Sequence, residues 1–299
     1  MAASAIILGV GLTAGIHSFA NARTAPATPV AAAAPASNGS AAAPAVGAPA
    51  ATAAAPAAAP AAAAPAGTID ADLDDRITAI IDANPDYQIG VALQDVSAGD
   101  GDMVHQYGVE EPFEAASTAK VLAAAAYYHQ VETGAASLTD QLGAYSAAFQ
   151  LRAMIQQSDN DSWSLIMDAI GHEDLSDYAA SLGVKYTPES NTLAPADMAR
   201  ILAGLYSGKL LDAADTSQLL ATMQDTNDET LIPAAAPDGV TVFHKYGLLG
   251  GELHDAGILA KDGRAYALVI YTKGDDLGSV PQRTDIIHQV TGAVAGALF

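Results

Sequence analysis

Three short groups of residues have the types and spacings from which nucleophilic chemistry could be built. The first is Ala116-Ser117-Thr118-Ala119-Lys120, followed by the apolar, alanine-rich run from Val121 to Tyr127. That run reads as a helix, with Ser117 at its start. Three residues advance a helix by about 300° and ~4.5 Å, so Lys120 returns to nearly the same face as Ser117. A serine hydroxyl is too weak an acid to attack a carbonyl unaided. An amine kept neutral by burial and nearby positive charge can accept its proton. The helix N-terminus favours the negative charge that then develops, and a serine in this position would also cap the helix. The second group, Ser158-Asp159-Asn160, lies 38 residues beyond Lys120 within helical sequence. As a loop it could bring a hydroxyl to the proton path and an amide to a ligand. The third, His244-Lys245-Tyr246-Gly247, ends an alternating segment. Lys245 supplies positive charge for an anionic ligand, and Gly247 would let a ligand backbone lie against the strand. Each group alone has an ordinary structural reading: a capping serine, a polar turn, a strand end.

The elements that must position these groups follow from periodicity. Residues 69–83 carry Leu73, Ile77, Ile80 and Ile81 at helical spacing and stop at Asn84-Pro85. Residues 87–96 alternate as a strand, with Ile89, Val91 and Leu93 facing one way. Gly99-Asp100-Gly101 is a turn, and 103–107 a second strand. Residues 117–232 are mostly helical and rich in Ala and Leu. Strand character returns at 240–245, and again at 254–260 and 265–272, which flank the hairpin signal Asp262-Gly263. A last helix covers about 281–297. This order predicts an α+β domain, an antiparallel sheet flanked by helices with an all-helical lobe inserted between its strands.

Composition bounds the rest. The 299 residues carry 34 acidic and 12 basic side chains, a net charge of −22. Such an acidic surface repels nucleic acid and anionic headgroups. There is no cysteine, which excludes disulfides, thiolate metal sites and a cysteine nucleophile. No histidine pair has metal-ligand spacing, and neither metal nor cofactor is expected. Residues 4–16 form an uncharged apolar run, short for a membrane span, and Ala20-Asn21-Ala22 matches a signal-peptidase site. Residues 1–22 therefore read as a signal peptide or, since no basic residue precedes the run, as an N-terminal anchor. Residues 23–67 are almost entirely Ala and Pro, a semi-extended linker. One folded domain, 68–299, remains, and the expected location is outside the cytoplasmic membrane: periplasm, cell wall or medium.

Ser-x-x-Lys, Ser-Asp-Asn and Lys-Thr-Gly, in this order, are the signature of class A β-lactamases and penicillin-binding proteins. The three groups here resemble it. The likeness continues through Gln88 to Asp95, similar to the family's first sheet strand, and Asn191 to Ala199, similar to the helix start after its omega loop. Asp228 to Pro233 and Gly239 to Val242 resemble the approach to its third strand. The resemblance spans about 70–297. It implies that Ser117 is the acylated nucleophile, Lys120 its proton relay, and Ser158 the link between Lys120 and Lys245. It implies that Asn160 contacts a substrate amide, Lys245 a substrate carboxylate, and the N–H groups of Ser117 and Leu248 the oxyanion.

The chain departs from the family pattern in three places. Tyr246 replaces a small hydroxyl residue beside Gly247. The segment Gly183 to Thr192 is short and lacks the family's glutamate that activates deacylating water; Glu189, its only acid, is the possible deacylation base if the loop folds back over Ser117, and no base is present if it points to solvent. His254-Asp255 stands where many class A enzymes have a carboxylate-binding Arg, and His254 reads either as its partial substitute or as a packed strand residue. Three functions stay open: a β-lactamase, a D-Ala-D-Ala peptidase of the same fold, and a wall-tethered binding module without turnover. In each the partner is a β-lactam or peptidoglycan peptide, and the protein is expected to be monomeric.

Overall fold

A computed structural model describes residues 68–97 and 103–299. The signal or anchor at 1–22, the linker at 23–67 and the Gly99-Asp100-Gly101 turn lie outside the described residues. The chain begins with α1 (Ala71–Asp82), capped by the Asp70 side chain, which accepts from Leu73 N at 3.1 Å. Strands β1 (Gln88–Asp95) and β2 (Val104–Gly108) follow. After β3 (Phe113–Glu114) and a tight 3-10 turn at Ala116–Ala119 comes α2 (Lys120–Glu132). The inserted lobe then runs through β4 (Gln141–Leu142), β5 (Tyr145–Ser146), α3 (Ala147–Gln156), α4 (Asn160–Ile170) and α5 (His172–Ser181). It continues with β6 (Tyr186–Thr187), β7 (Thr192–Leu193), α6 (Pro195–Tyr206), α7 (Ala213–Thr222) and the single turn α8 (Ile232–Ala235). Three long strands, β8 (Thr241–Leu249), β9 (Glu252–Lys261) and β10 (Arg264–Lys273), precede the terminal helix α9 (Val280–Leu298).

The main sheet has the order β2-β1-β10-β9-β8, with every neighbour antiparallel. First and last strands of the domain thus meet at its centre. The β9–β10 hairpin turns at Asp262-Gly263, both left-handed (φ 51° and 79°), as a two-residue hairpin loop of the primed type requires. Strand alternation divides the core in two. On β10, Ala265, Ala267, Val269 and Tyr271 face the lobe, while Tyr266, Leu268 and Ile270 face α1 and α9. Leu73 and Ile77 of α1 and Ile286, Ile287, Val290 and Val294 of α9 close that second face.

The lobe packs through α2, which has buried residues all round its first nine positions, Lys120 to Tyr128. Four successive alanines, Ala123–Ala126, let α3 and α4 approach closely. The two-residue strands of the lobe had no counterpart in the helical reading of 117–232. A strand of two residues has no period to recognise.

Candidate active site

The turn that presents Ser117 is held in an unfavourable conformation by bonds from three directions. Ala116 is left-handed (φ 48°), which costs a non-glycine residue of order 1 kcal/mol or more. Asn191 clamps it: its Nδ2 donates to Ala116 O at 2.9 Å, and its own carbonyl accepts from Ala115 N at 2.7 Å. Asn191 is itself left-handed (φ 50°), and its Oδ1 accepts from the Tyr186 hydroxyl at 2.9 Å. The Thr118 hydroxyl lies 2.7 Å from Ala115 O and 2.6 Å from the Tyr271 hydroxyl. Ser117, half-buried, is carried by this turn into α2. Its hydroxyl does not cap the helix, contrary to expectation: neither the 3-10 turn nor α2 receives a side-chain cap.

One turn on, Lys120 is buried and points at the second motif. Its Nζ donates to Ser158 O at 2.8 Å, Asn160 Oδ1 at 2.8 Å and, more weakly, Ser158 Oγ at 3.4 Å. Ser158 is a third left-handed residue at this site (φ 54°), and Asp159 fixes its turn by capping α4, accepting from Ser162 N at 2.8 Å. Burial lowers the Lys120 pKa to about 8, against the opposing charge of Asp159. The N-terminus of α2 works in the same direction as burial.

Lys245 on β8 is wholly buried. Burial first, and the charge on Lys120 second, lower its pKa to about 7, while Asp255 and Asp228 pull the other way. Two ammonium groups in one desolvated cleft therefore compete for charge near neutral pH. Beside Lys245, the β8 backbone closes on Ser117. A Cβ added to Gly247 would stand 3.0 Å from Ala116 Cβ and 3.1 Å from Ser117 N and Ala115 O, so any side chain there would press on the turn that carries Ser117. Leu248 follows, its side chain half-exposed.

Tyr246 does more than replace a small hydroxyl. Its ring lies over Lys245 Nζ, 4.0 Å from the centroid, and its carbonyl accepts from that Nζ at 3.1 Å. Its hydroxyl donates to Asn227 Oδ1 at 2.9 Å. The ammonium expected to meet a substrate carboxylate is thus covered by an aromatic face, which itself attracts the cation.

Two expected site residues lie elsewhere. His254 is fully buried. Its Nδ1 accepts from Thr272 N at 3.1 Å, so the proton sits on Nε2, which donates to Glu114 O at 2.9 Å. Its ring stacks on Tyr271, centroids 4.2 Å apart, and Phe113 meets it edge-on. Burial lowers its pKa to about 4, so the ring is neutral. His254 pins β3 to the sheet and cannot receive a substrate carboxylate, because no face of it reaches the cleft. Glu189 is 71% exposed, with Oε1 3.9 Å from His172 Nδ1. Of the two geometries open to its loop, this is the solvent-facing one, and no base near Ser117 comes from it.

Sequence reasoning missed a buried network directly behind Lys245. His244 Nδ1 lies 2.9 Å from Asp255 Oδ1, and its Nε2 lies 3.2 Å from Glu229 Oε1 and 3.1 Å from Thr226 Oγ1. Burial opposes a charge on this ring, but Asp255 and Glu229 together hold its pKa above the ordinary value. Asp255 also accepts from Ile232 N at 2.9 Å. The network ties β8, β9 and the segment before α8 together. The alternation of β8 places His244 and Lys245 on opposite faces, but only the fold supplies the carboxylates.

Comparison with known proteins agrees with this fold. The sequence model described as the beta-lactamase enzyme family matches residues 72–298. Among solved structures, PBP-A is similar at 24% identity and TM-score 0.69, over 76% of this chain and 96% of that one. A mutant of PBP-A, described as an acyl-enzyme complex with penicillin G, is similar at 25% identity and TM-score 0.67, with the same coverage. A β-lactamase from Sphaerobacter thermophilus has 21% identity and TM-score 0.65, over 77% of this chain and 98% of that one.

Proposed function

The chain belongs to the beta-lactamase enzyme family, and from that premise we propose an exported serine hydrolase that β-lactams acylate at Ser117 and whose acyl-enzyme is hydrolysed slowly. The observation that carries the reading is Lys120, buried one helical turn after Ser117 and bonded to both Ser158 and Asn160. With Lys120 neutral, its Nζ takes the Ser117 hydroxyl proton as Oγ bonds to the lactam carbonyl carbon. The N–H groups of Ser117 and Leu248 receive the oxyanion. When the ring C–N bond breaks, the proton passes through Ser158 to the departing nitrogen, leaving an ester on Ser117.

Charge sharing between the lysines suits this sequence. A substrate carboxylate arriving at Lys245 favours the ammonium there, and the proton it retains is one that Lys120 gives up. The substrate thereby prepares its own base. To reach Lys245 it must displace the Tyr246 ring, which slows acylation. Hydrolysis of the ester then needs a base beside the attacking water. Glu189 faces solvent, which supports a long-lived adduct, as does the likeness to PBP-A. The same observation favours a second reading, a D-Ala-D-Ala peptidase that β-lactams trap, or a wall-tethered module that binds without turnover.

Mass spectrometry of the full chain mixed with penicillin G, followed over time, separates these readings. We expect a stoichiometric adduct on Ser117 that decays slowly; release of D-alanine from a D-Ala-D-Ala peptide would assign the peptidase. Rapid loss of drug without an adduct would overturn slow release, and absence of any adduct would overturn acylation. Export rests on the apolar run 4–16 and Ala20-Asn21-Ala22. It predicts a monomer outside the cytoplasmic membrane, held near the wall by the Ala/Pro linker. Recovery of intact full-length protein only from the cytosol would refute it.

A further inference from the structure

Strand β8 lies at the edge of the main sheet, and residues 223–231, between α7 and α8, contain neither helix nor strand. The two meet at His244, whose N–H donates to Met223 O at 2.7 Å. From there residues 224–229 run as a strap tied on two sides. One side is the end of α3, next to Ser158. Asn227 N donates to Gln156 O and Asn227 Nδ2 to Gln157 O, each at 2.9 Å, and Gln156 Nε2 donates to Gln224 O at 3.1 Å. The other side is the His244 ring. Asp225 within the strap is left-handed (φ 50°), a conformation that persists only where neighbouring bonds hold it.

The His244 ring is fully buried between two carboxylates. Its Nδ1 lies 2.9 and 3.1 Å from the two Asp255 oxygens, and its Nε2 lies 3.2 Å from Glu229 Oε1 and 3.1 Å from Thr226 Oγ1. The Thr226 hydroxyl donates to the same Glu229 oxygen at 2.7 Å, as does Thr226 N at 2.6 Å. Both ring nitrogens therefore face acceptors, and only the doubly protonated ring satisfies both. Asp255 from β9 and Glu229 from the strap are the charged groups that act on this ring. Lys245 follows it on the opposite face of β8, and Asp228 acts on Lys245 and Tyr246. The strap also carries Asn227, whose Oδ1 accepts from the Tyr246 hydroxyl at 2.9 Å while the Tyr246 ring covers Lys245 Nζ.

We propose that His244 is a positioning residue: its doubly protonated ring pins the strap through Glu229 and Thr226, and the strap, through Asn227, keeps Tyr246 across Lys245 as a gate on anionic substrates. The second proton leaves from Nε2, because Nδ1 faces a fully buried carboxylate while Glu229 is 44% exposed and can be solvated. The Nε2 lone pair then opposes Glu229 Oε1 and competes for the Thr226 proton, which releases the strap. Burial opposes charge on the ring, but Asp255 and Glu229 hold its pKa above the ordinary value. The pin is thus in place below that raised pKa and is lost as pH rises through it. Its consequence for acylation, a gate that opens toward alkaline pH, rests on Ser117 being the acylated residue and Lys245 the partner of the substrate carboxylate.

The test uses the full chain with ring-labelled histidine and tyrosine, titrated by NMR, beside Asn227→Ala and Glu229→Gln. In the wild-type protein the Tyr246 ring signals should follow the titration of His244. In Asn227→Ala, His244 should still titrate but Tyr246 should no longer follow it. In Glu229→Gln the His244 midpoint should fall and carry the Tyr246 transition with it. Below the wild-type midpoint, penicillin G should acylate both variants about fivefold faster than the wild type, the factor expected for one hydrogen bond. In a Tyr246→Thr background neither change should speed acylation further. A His244 ring that keeps one protonation state between about pH 6 and 9 would overturn the proposal. So would a Tyr246 ring indifferent to His244, or one that still follows it in Asn227→Ala, since the signal would then pass along β8. Coupled ring signals with unchanged acylation would overturn the gate. If penicillin acylates none of the proteins, the acylation reading fails, and the ring signals alone decide whether His244 positions Tyr246. Should Glu229→Gln fail to fold, the wild-type and Asn227→Ala titrations suffice.

Discussion

The two walls of the cleft beside Ser117 are built to different standards. On the wall formed by α2 and the start of α4, the polar groups around Ser117 have fixed partners. Lys120 has three acceptors, Thr118 bridges two oxygens, and Asn191 holds the strained Ala116 from outside. On the wall that runs from α5 to β7, the one carboxylate of Gly183 to Thr192 is exposed and meets only His172. Backbone strain gathers around Ser117, with Asn191 of the second wall reaching across to hold the turn. Three of the five non-glycine residues at positive φ among the described residues, Ala116, Ser158 and Asn191, surround Ser117 and Lys120. Such conformations persist only where surrounding structure over-determines them. The surroundings of Ser117 and Lys120 are preorganised, and Glu189 is not held toward them.

Breaking the ordered wall should have the largest effects. Ser117→Ala should abolish covalent labelling by penicillin outright. Because its hydroxyl caps nothing, stability should change by no more than about 0.5 kcal/mol, measured by urea denaturation. Residual labelling at full rate would place the chemistry elsewhere. Lys120→Met keeps the buried volume and removes the base; acylation should slow by about 10²- to 10⁴-fold, read by stopped-flow with a chromogenic cephalosporin. A loss below tenfold would remove Lys120 from the proton path.

Opening the cover over Lys245 should sharpen the contrast from the other direction. Tyr246→Thr exposes the ammonium and restores a small hydroxyl, at the loss of the bond to Asn227, about 1 kcal/mol. Acylation by carboxylate-bearing β-lactams should rise about tenfold, the gain expected from one charge-assisted contact. An unchanged or lower rate would mean the ring helps to bind substrate.

The ordered wall also sets the pH dependence. The productive state has one proton on the pair, held on Lys245 with Lys120 neutral; before substrate arrives that proton lies mainly on Lys120, and the substrate carboxylate draws it to Lys245. Below about 7 both lysines are charged and Lys120 cannot accept a proton; above about 8 both are neutral and the substrate carboxylate loses its partner. Acylation should therefore peak between these values, as a property of the pair and not of either residue. Asp159 favours charge on Lys120, so Asp159→Asn, which still caps α4, should move the profile to lower pH by a few-fold change in rate at its flanks. A flat profile from pH 6 to 9 would contradict the shared proton.

How much of this was legible beforehand depended on range. The sheet strands and both flanking helices follow from local alternation and 3.6-residue spacing, and their observed bounds fall within a few residues of those expected, β8 running longer. Ser117 lies in the 3-10 turn that leads into α2 and Lys120 opens that helix; both 3-10 and α geometry bring residues i and i+3 to nearly the same face, so their juxtaposition could be computed from spacing alone. Residues whose roles depend on distant partners could not be read. Alternation assigns His254 to a face of β9 but does not reveal that Phe113 and Tyr271 enclose it. Tyr246 was legible as an intrusion, while its seat on Lys245 depends on Asn227 in a loop 19 residues away. The outward direction of Glu189 depends on how its short loop turns, which no local periodicity sets.

The smallest expected effect tests that last point. If Glu189 were the deacylating base, Glu189→Gln would slow release of the acyl group by about 10²-fold or more. Its carboxylate is 71% exposed and pairs with His172 at 3.9 Å, an exposed contact worth at most about 1 kcal/mol. The variant should therefore release the acyl group at the wild-type rate within about twofold, since surface substitutions of this kind change stability by no more than about 0.5 kcal/mol. Decay of the penicillin adduct on both proteins, followed by mass spectrometry, gives the answer directly. A large slowing in Glu189→Gln would mean that the loop turns inward once Ser117 is acylated, and that the second wall is assembled by the substrate.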